Sequence, residues 1–590
     1  MAIIGIDLGT SNTLACVFQG GKPTLIPNQE GDFITPSVVS FTPKDVLLVG
    51  KAAKKRLTSD PTQTAASYKV FMGAHHEIIL GQQTFQPEEL SSFVLRQIKE
   101  DAQRFLGEPV EEAVISVPAY FNDDQRCATK LAAELAGLKI TRLINEPSAA
   151  AVYYRWSAPQ AQDGKIMIVD FGGGTLDVSI VECFENIIEI QAIAGDNRLG
   201  GDDVDRVVAA HFCQQNGLDQ NDLTPEQQAA LLKLSCQAKQ TLSEPGAELA
   251  VICLETAQGI YQMGLSQSLL ARLCEPLFQR VEKVLRQALA NLKVVRNIQQ
   301  VVLIGGSSKM PVFQDFLQRI TSAKPIVVDD PDHIVALGAG ICAGIKERRE
   351  ELQDLVMTDV CPFSLGVASY HSLTDEHPHL SVLIPRGSML PVSRTDSFST
   401  LSDGQEFLKF EIYQGESYFA AENLKLGELR IRVPRGPAGS GTVKITFTYD
   451  INGILHVEAI SNTGQRKDTV ILNPRLHLTP AQLDNAIKQI RQIKLENSSK
   501  EEHDLFRQAL QLYGENDGDL HALLGSAINQ YSMAQDSGDL IWMRKETHYL
   551  KQVVQEIQKL ADPLDLFRKM MAQNEWEDSD CEEWEDKEDE

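Results

Sequence analysis

The sequence predicts a multidomain chain: a two-lobed α/β region, then a strand-rich β-domain, then a polar helical segment ending in an acidic tail. Three observations carry this. First, 590 residues exceed what one hydrophobic core organises. Second, the texture changes along the chain. Up to about residue 350, apolar strand-like runs alternate with helical stretches and glycine turns; from about 360 to 475 short alternating strands dominate; from about 479 to 573 the pattern is helical and polar. Third, the α/β region repeats itself. Ile3-Ile4-Gly5-Ile6 leads to Asp7 and the turn Gly9-Thr10, and Ile166-Met167-Ile168-Val169 leads to Asp170, Phe171 and Gly172-Gly173-Gly174-Thr175. A strand, an acid and a glycine turn, used twice, suggest two lobes that each present a turn to one ligand.

Composition narrows the class. The net charge is −26, and residues 575–590 hold eleven acidic residues and one lysine, a local −10. The remaining body is still acidic, which argues against binding driven by nucleic-acid phosphates. The tail after Asn574 reads as disordered. Ten cysteines are scattered without Cys-x-x-Cys or His/Cys clusters, as expected of small buried residues in a reducing cytoplasm. The opening apolar run is broken by Asp7, so it is a strand and not a signal peptide. No run of some 18 apolar residues spans a membrane. A cytoplasmic protein follows, with no nucleic-acid or membrane partner.

The β-domain elements are explicit. Leu408, Phe410 and Ile412 alternate with Lys409 and Glu411, and Val443, Ile445, Phe447 and Tyr449 repeat the alternation. Asn452-Gly453 then predicts a tight hairpin turn before Leu455 and Val457. The helical segment opens at Thr479-Pro480-Ala481-Gln482, an N-cap, a first-turn proline and a capping box, with Leu478 and Leu483 at staple positions. Leu483, Ile487, Ile490 and Ile493 mark one helix face.

Glycine turns let backbone N–H groups approach phosphate closely, and a triphosphate also needs Mg²⁺, which keeps most of its waters and meets carboxylates through them. Asp7 and Asp170 stand where such carboxylates belong. One Asp-x-Gly is most often an ordinary turn; two matched copies favour phosphate binding.

The strings IGIDLGTSN, VISVPAYFNDDQR, LINEPSAAA, VDFGGGTLDVSI, AGDNRLGGDD and VVLIGGSSKMP, in this order, followed by DVCPFSLGV, IYQGE and TYDINGILHV, resemble the 70-kilodalton heat-shock chaperone family. The resemblance covers roughly residues 1–495 and is weaker beyond. The spacing before Lys69, the short stretch from Lys69 to Pro118 and TDVCPFSLGV are most similar to the HscC-type branch of DnaK relatives. It implies an actin-like (ribonuclease H-like) two-lobed ATPase over 1–353, a linker over 354–359, a β-sandwich substrate-binding domain over 360–476, a helical lid over 479–573 and the acidic tail over 574–590. It implies ATP and ADP as ligands with Mg²⁺, and K⁺ as a further candidate. Its partners would be unfolded or extended polypeptide, a J-domain co-chaperone and, as a further candidate, a nucleotide exchange factor.

The resemblance also assigns roles. Thr10, Ser11 and Asn12 would face the β- and γ-phosphates, Ser11 standing where the family usually has a second threonine. Lys69 would hold the attacking water and γ-phosphate. Asp7, Glu146 and Asp170 would position magnesium-bound waters, and Thr175 would touch γ-phosphate and nucleophile. Gly172, Gly173 and Gly174 form the second turn, which Asp177 would support, and Gly200 and Gly201 would back the phosphates. Lys239, Ser243, Gly305, Gly306, Lys309 and Asp332 would line the adenosine pocket. Pro118 and Arg126 match the relay between ATP site and partner domain, and Leu355, Val356 and Met357 the apolar connector that docks on the ATPase in one nucleotide state. Val367, Tyr370, Phe398, Leu401, Leu408, Phe410 and Ile412 fall on peptide-groove positions; for Phe410 and Ile412 sandwich core is an equal reading. A lone Lys69 would be a solvated surface lysine, and Pro118 and Arg126 a loop proline and a surface arginine.

This sequence departs from the family at several of these places. Cys236 and Gln240 replace a glutamate and a basic residue beside the adenosine. Lys309 replaces an arginine that stacks on adenine, and an ammonium stacks poorly. Weaker nucleotide holding and faster release follow. Thr358 replaces the last apolar linker residue, which loosens docking. Tyr370 and Leu401 replace the small or flexible pair that arches over the groove, which alters peptide preference. A metabolite kinase or an actin-like filament protein shares the lobes but needs neither β-domain nor lid. A weakly hydrolysing, exchange-factor-like regulator is disfavoured by Lys69, Glu146, Asp170 and Thr175.

Overall fold

The computed structural model describes residues 2–470 except 45, 158–162, 257–258, 291–297, 322, 329, 354 and 371–376, and beyond them 487, 505, 509, 523–524, 526–528, 530–531 and 540–560. Two compact units form, Met1–Ile493 and Lys494–Glu590. The helix start expected at Thr479 and the acidic tail lie outside the described residues.

The sequence repeat becomes a repeat of sheets. In the first lobe, strands Ile3–Leu8 and Asn12–Gln19 form an antiparallel hairpin, extended by Lys22–Ile26. On its other side, Ile3–Leu8 pairs in parallel with Glu112–Val117, which pairs in parallel with Lys139–Asn145. The second lobe copies this order. Gly164–Phe171, Leu176–Phe184 and Ile187–Asp196 run antiparallel, and Gly164–Phe171 pairs in parallel with Ile298–Ile304, itself parallel to Ile326–Val327. Asp7 and Asp170 thus sit at matching strand ends, each just before its turn.

Two helices fill the space between the sheets. Glu146–Ser157 and Ile334–Lys346 pack on each other and on strands of both lobes. Their small residues permit it: Ala149, Ala150, Ala151, Ala339 and Ala343 are buried in one cluster with Ile144, Ile168, Ile304 and Ile341. Such alanine-rich faces let helix and sheet backbones approach closely.

The β-domain is a sandwich. One sheet orders His379–Ile384, Leu365–Ser369, Phe407–Gln414 and Leu424–Arg432; the other orders Val392–Ser399, Thr442–Tyr449, Leu455–Ser461 and Arg466–Val470. The alternation read from sequence is the observed facing: Leu408, Phe410 and Ile412 enter the core with Val443, Ile445, Phe447 and Tyr449, while Lys409 and Glu411 pair outside at 2.9 Å. The Asn452-Gly453 turn is wider than that dipeptide alone suggests. Tyr449 still pairs Leu455, and Asp450 accepts from Asn452 N at 2.8 Å and Ile454 N at 2.9 Å, so its carboxylate organises the loop.

In the second unit, helix Leu540–Leu560 presents Leu550, Val553, Val554 and Ile557 to a cluster with Leu505, Ala509, Leu524, Ala527 and Tyr531. Among the described residues, nine cysteines are free and seven of them buried, and no helix is long and apolar enough to cross a membrane.

Candidate functional site

The two turns meet in one cleft. A Cβ on Gly174 would lie 2.7 Å from Thr10 Cγ2 and 2.8 Å from Val70 Cγ1, so the second lobe's turn touches the first lobe at van der Waals distance and glycine is required there. Ser11 Oγ lies against Gly173, and Asn12 opens the strand that follows. Thr10 and Thr175 are both buried beside this contact. Gly201 N donates to Gly172 O at 3.0 Å, stacking the Gly200-Gly201 turn behind the Gly172–Gly174 turn.

Behind the turns lies a buried charge cluster. Lys69 Nζ donates to Glu146 Oε1 at 2.8 Å, with both side chains almost wholly buried. Asp7 accepts from Ser116 Oγ at 2.7 Å, and Asp177 Oδ1 accepts from Tyr120 N at 3.1 Å while its Oδ2 has no partner. Burial, then the Glu146 charge, pushes Asp7 up to about 7 against the pull of Lys69 and Ser116. Asp177 is pushed to about 7 by the same two causes. Asp170 is held well above the carboxylate range by burial and by Glu146, Asp177 and Asp7. Four carboxylates thus share one lysine; burial is the first cause of the raised proton affinity of Asp7, Asp170 and Asp177, and the negative charge of their neighbours adds to it. A cation would balance that charge. Among the described residues no three acids, histidines or cysteines converge at direct metal-ligand range.

At the positions expected to line the adenosine, Lys309 Nζ donates to Asp332 Oδ2 at 2.5 Å. Gly306 faces Asp332, where a Cβ would lie 2.9 Å from Oδ1. Gly305, at φ 80°, would place a Cβ 2.5 Å from Asp170 Oδ1, so only glycine joins this wall to the carboxylates. Lys239 is tied down: Nζ donates to Gly201 O at 2.8 Å and pairs Asp205 at 2.7 Å, and Ser243 Oγ donates to Lys239 O at 2.9 Å. Cys236, pushed up to about 11 by burial and then by Asp205, shares that carboxylate. Ser243 and Lys309 border an open cleft of about 1120 Å³ that continues past Gln267, Pro311, Asp315 and Arg319.

Two threads lead from the cluster to the β-domain. Asn145, preceding Glu146, donates to Asp359 Oδ2 at 2.7 Å, and Ser148 Oγ donates to the same oxygen at 3.0 Å. Tyr120, whose N–H meets Asp177, packs against Phe363 with ring centroids 4.4 Å apart and the rings tilted at 51°. Arg126, four-square between them, donates to Phe121 O at 3.1 Å and Asn145 Oδ1 at 2.7 Å. Pro118 O accepts from Phe121 N in the same loop. Asp123 N donates to Gln414 Oε1 at 3.0 Å, and Leu143 N to Asn452 Oδ1 at 3.3 Å. The segment expected as the linker adds an edge strand: Val356–Thr358 pairs in parallel with Ile187–Glu189, and Leu355 and Met357 pack on the interlobe core.

The groove candidates divide in two. Val367, Leu408, Phe410 and Ile412 are buried in the sandwich core, with Phe398 edge-on to Phe410 at 5.5 Å. Tyr370 and Leu401 are exposed, 44% and 36%. Sequence reasoning missed Ser116, Tyr120, Asn145, Asp205 and Asp359. Asn145 and Asp359 had a signal, since each adjoins a motif already read, in LINEPSAAA and TDVCPFSLGV.

The family model described as Hsp70 protein matches residues 3–82 and 76–573. Both lobes, the sandwich and the segment after it lie within that span, which leaves no place for a metabolite kinase or a filament protein. The chain therefore belongs to the Hsp70 family of ATP-dependent chaperones, which hydrolyse ATP and bind unfolded polypeptide.

Proposed function

We propose that this chain spends one magnesium triphosphate per cycle to loosen and re-form a grip on extended apolar segments. The carrying observation is the Lys69–Glu146 pair set among Asp7, Asp170 and Asp177, an excess of buried negative charge beside two facing glycine turns. Asp7, Glu146 and Asp170 would hold Mg²⁺ through water, and the ion would supply charge neutralisation on the β- and γ-phosphates. K⁺ is a second candidate for the same excess. Phosphoryl transfer needs positioning and charge neutralisation more than covalent chemistry. Thr10, Ser11 and Asn12 from one side, and Gly172–Gly174 with Gly200 and Gly201 from the other, offer donors to phosphate oxygens. Lys69 Nζ, held by Glu146, orients the attacking water and stabilises charge growing on the γ-phosphate; Thr175 bounds the water from the opposite lobe. Lys239, Ser243, Gly305, Gly306, Lys309 and Asp332 enclose the nucleoside.

Residues 1–353 would form the ATPase, 354–359 the linker, 360–476 the peptide domain and 479–573 the lid. Pro118, Arg126, Leu355, Val356 and Met357 would carry the nucleotide state to the grip. Tyr370 and Leu401 would cover a peptide lying along the sheet edge, with Val367, Phe398, Leu408 and Phe410 beneath. TDVCPFSLGV supports placement near the HscC-type branch, with a cytoplasmic setting, a J-domain partner and, as a further candidate, an exchange factor.

Single-turnover phosphate release tests the reading. Lys69→Ala should slow hydrolysis by about 10²–10³-fold, the usual effect of losing one preorganised electrostatic contact. A J-domain protein and an apolar peptide should each speed the wild type. Unaltered hydrolysis in Lys69→Ala would sink the assignment.

A further inference from the structure

The two lobes must close correctly for hydrolysis, because Lys69 stands on one and Thr175 on the other. Lys69 itself does not enforce this. Its ion pair is to Glu146, in its own lobe. Another side chain on the same turn reaches across. Ser67, immediately before the 3₁₀ turn Tyr68–Phe71, donates its hydroxyl to Asp202 Oδ2. Asp202 lies in the first turn of helix Gly201–Asn216, and its N–H donates to Gly173 O at 2.8 Å. The backbone of the γ-phosphate turn and the side chain of the Lys69 turn therefore meet on one residue.

Ser67 is also strained. Its φ of 54° is left-handed, a region costly for residues with a Cβ. A serine kept there with its hydroxyl bonded across the cleft is a conformation used for aim. Val70, on the same 3₁₀ turn, is with Thr10 one of the two residues that a Cβ on Gly174 would strike. Helices Lys51–Ser59 and Pro225–Thr241 also touch each other, and the Ser67–Asp202 contact, through the Asp202 N–H on Gly173 O, lies at the glycine turn.

We propose that Ser67 is a positioning residue for hydrolysis: its hydrogen bond to Asp202 fixes the Lys69 turn of the first lobe against the phosphate turn of the second, and holds ADP until that bond opens. The proposal rests on Lys69 acting at the γ-phosphate as argued above. An ångström of misplacement in such a site costs rate far beyond its own contact energy. Ser67→Ala should therefore slow single-turnover hydrolysis about tenfold and speed ADP release several-fold, the scale of one hydrogen bond to a carboxylate.

The test is a double-mutant cycle in the full chain, reading single-turnover hydrolysis, ADP release and melting temperature for Ser67→Ala, Asp202→Ala and both. If the bond is the agent, the double variant is no slower than either single one. Ser67→Gly relieves the left-handed strain while removing the hydroxyl, so it keeps the fold and should lose the same rate. Asp202→Asn keeps an acceptor oxygen and should stay within about threefold of wild type. Additive losses, unchanged hydrolysis in Ser67→Gly, or an Asp202→Asn as slow as Asp202→Ala would each overturn the proposal. Wild-type protein without hydrolysis would instead overturn the site assignment beneath it.

Discussion

Thr358→Val should tighten linker docking. Thr358 is the last residue of the edge strand Val356–Thr358, opposite Glu189. Its Oγ1 is buried there with no hydrogen-bond partner, whereas an undocked linker returns the hydroxyl to water. A buried hydroxyl without a partner costs about 1–3 kcal/mol in protein mutational data. Thr358 is only half-buried as a residue, so the lower part of that range applies, about 1–2 kcal/mol. Valine keeps the branched shape and strand preference and removes the orphan oxygen. The docked-to-undocked ratio should rise by about 5–30-fold. Hydrogen exchange reads it directly, because Val356 N donates to Asn186 O at 2.9 Å only when docked. Protection of the linker amides should rise by that factor in ATP, and peptide release by ATP should become more complete. Thr358→Ser, which keeps the orphan oxygen and loses the methyl, should move the other way. Equal or lower protection in Thr358→Val would refute the reasoning.

Two further outcomes follow from the same contacts. Lys309→Arg should tighten ADP binding by about 2–5-fold in calorimetric titration, because a planar guanidinium can keep the Asp332 pair and still lie over an aromatic base, a gain of about 0.5–1 kcal/mol at an exposed site; a loss of affinity would show that the ammonium is the better partner. Docking should also depend on pH through Asp123, which burial and then Asp124 push up to about 7 against Arg126 and Cys127, with Asp450 of the β-domain raising it further. Undocked, its carboxyl loses the Asp450 charge and falls back towards the ordinary carboxylate value of 3.8, so the docked form binds more protons between roughly 4 and 7. Docking is then strongest below that window, weakens as pH rises through it, and is level above; linker protection measured across it should show this slope in wild type and lose it in Asp123→Asn.

What could be read from sequence is what backbone geometry forces on residue type. Close approach at Gly173 and Gly174 leaves no room for a larger residue, so the duplicated turns announced themselves, and with them the acids at the strand ends. The sandwich alternation was legible for the same reason, since a strand has period two. The period could not say whether an inward residue meets core or ligand, and Phe410 and Ile412 lie in the core. The long-range polar contacts were illegible. Ser67 and Asp202 are 135 residues apart, and Asn145 and Asp359 are 214 apart. Serine, asparagine and aspartate fit any surface loop, so nothing in their types reveals that they meet.

The placement of those unread contacts bears on how the halves of the chain can influence one another. Glu146 holds Lys69, and its neighbour Asn145 holds Asp359. Asp177 accepts from Tyr120, whose ring lies on Phe363. Each thread therefore starts at the carboxylate cluster; one ends on Asp359, the last residue of the linker, and the other on Phe363, just after it. If ATP draws Lys69 and the Gly172–Gly174 turn together, the strand end carrying Asn145 and the loop carrying Tyr120 are set by the same closure. Docking of Asp359 and Phe363 then has a different free energy with and without the γ-phosphate. Coupling of this kind is reciprocal: whatever pulls the β-domain away, a bound peptide included, must disturb the Lys69 site by the same free energy. A peptide that opens the grip should on this ground alter ATP affinity, and a linker that docks too firmly, as in Thr358→Val, should blunt that effect.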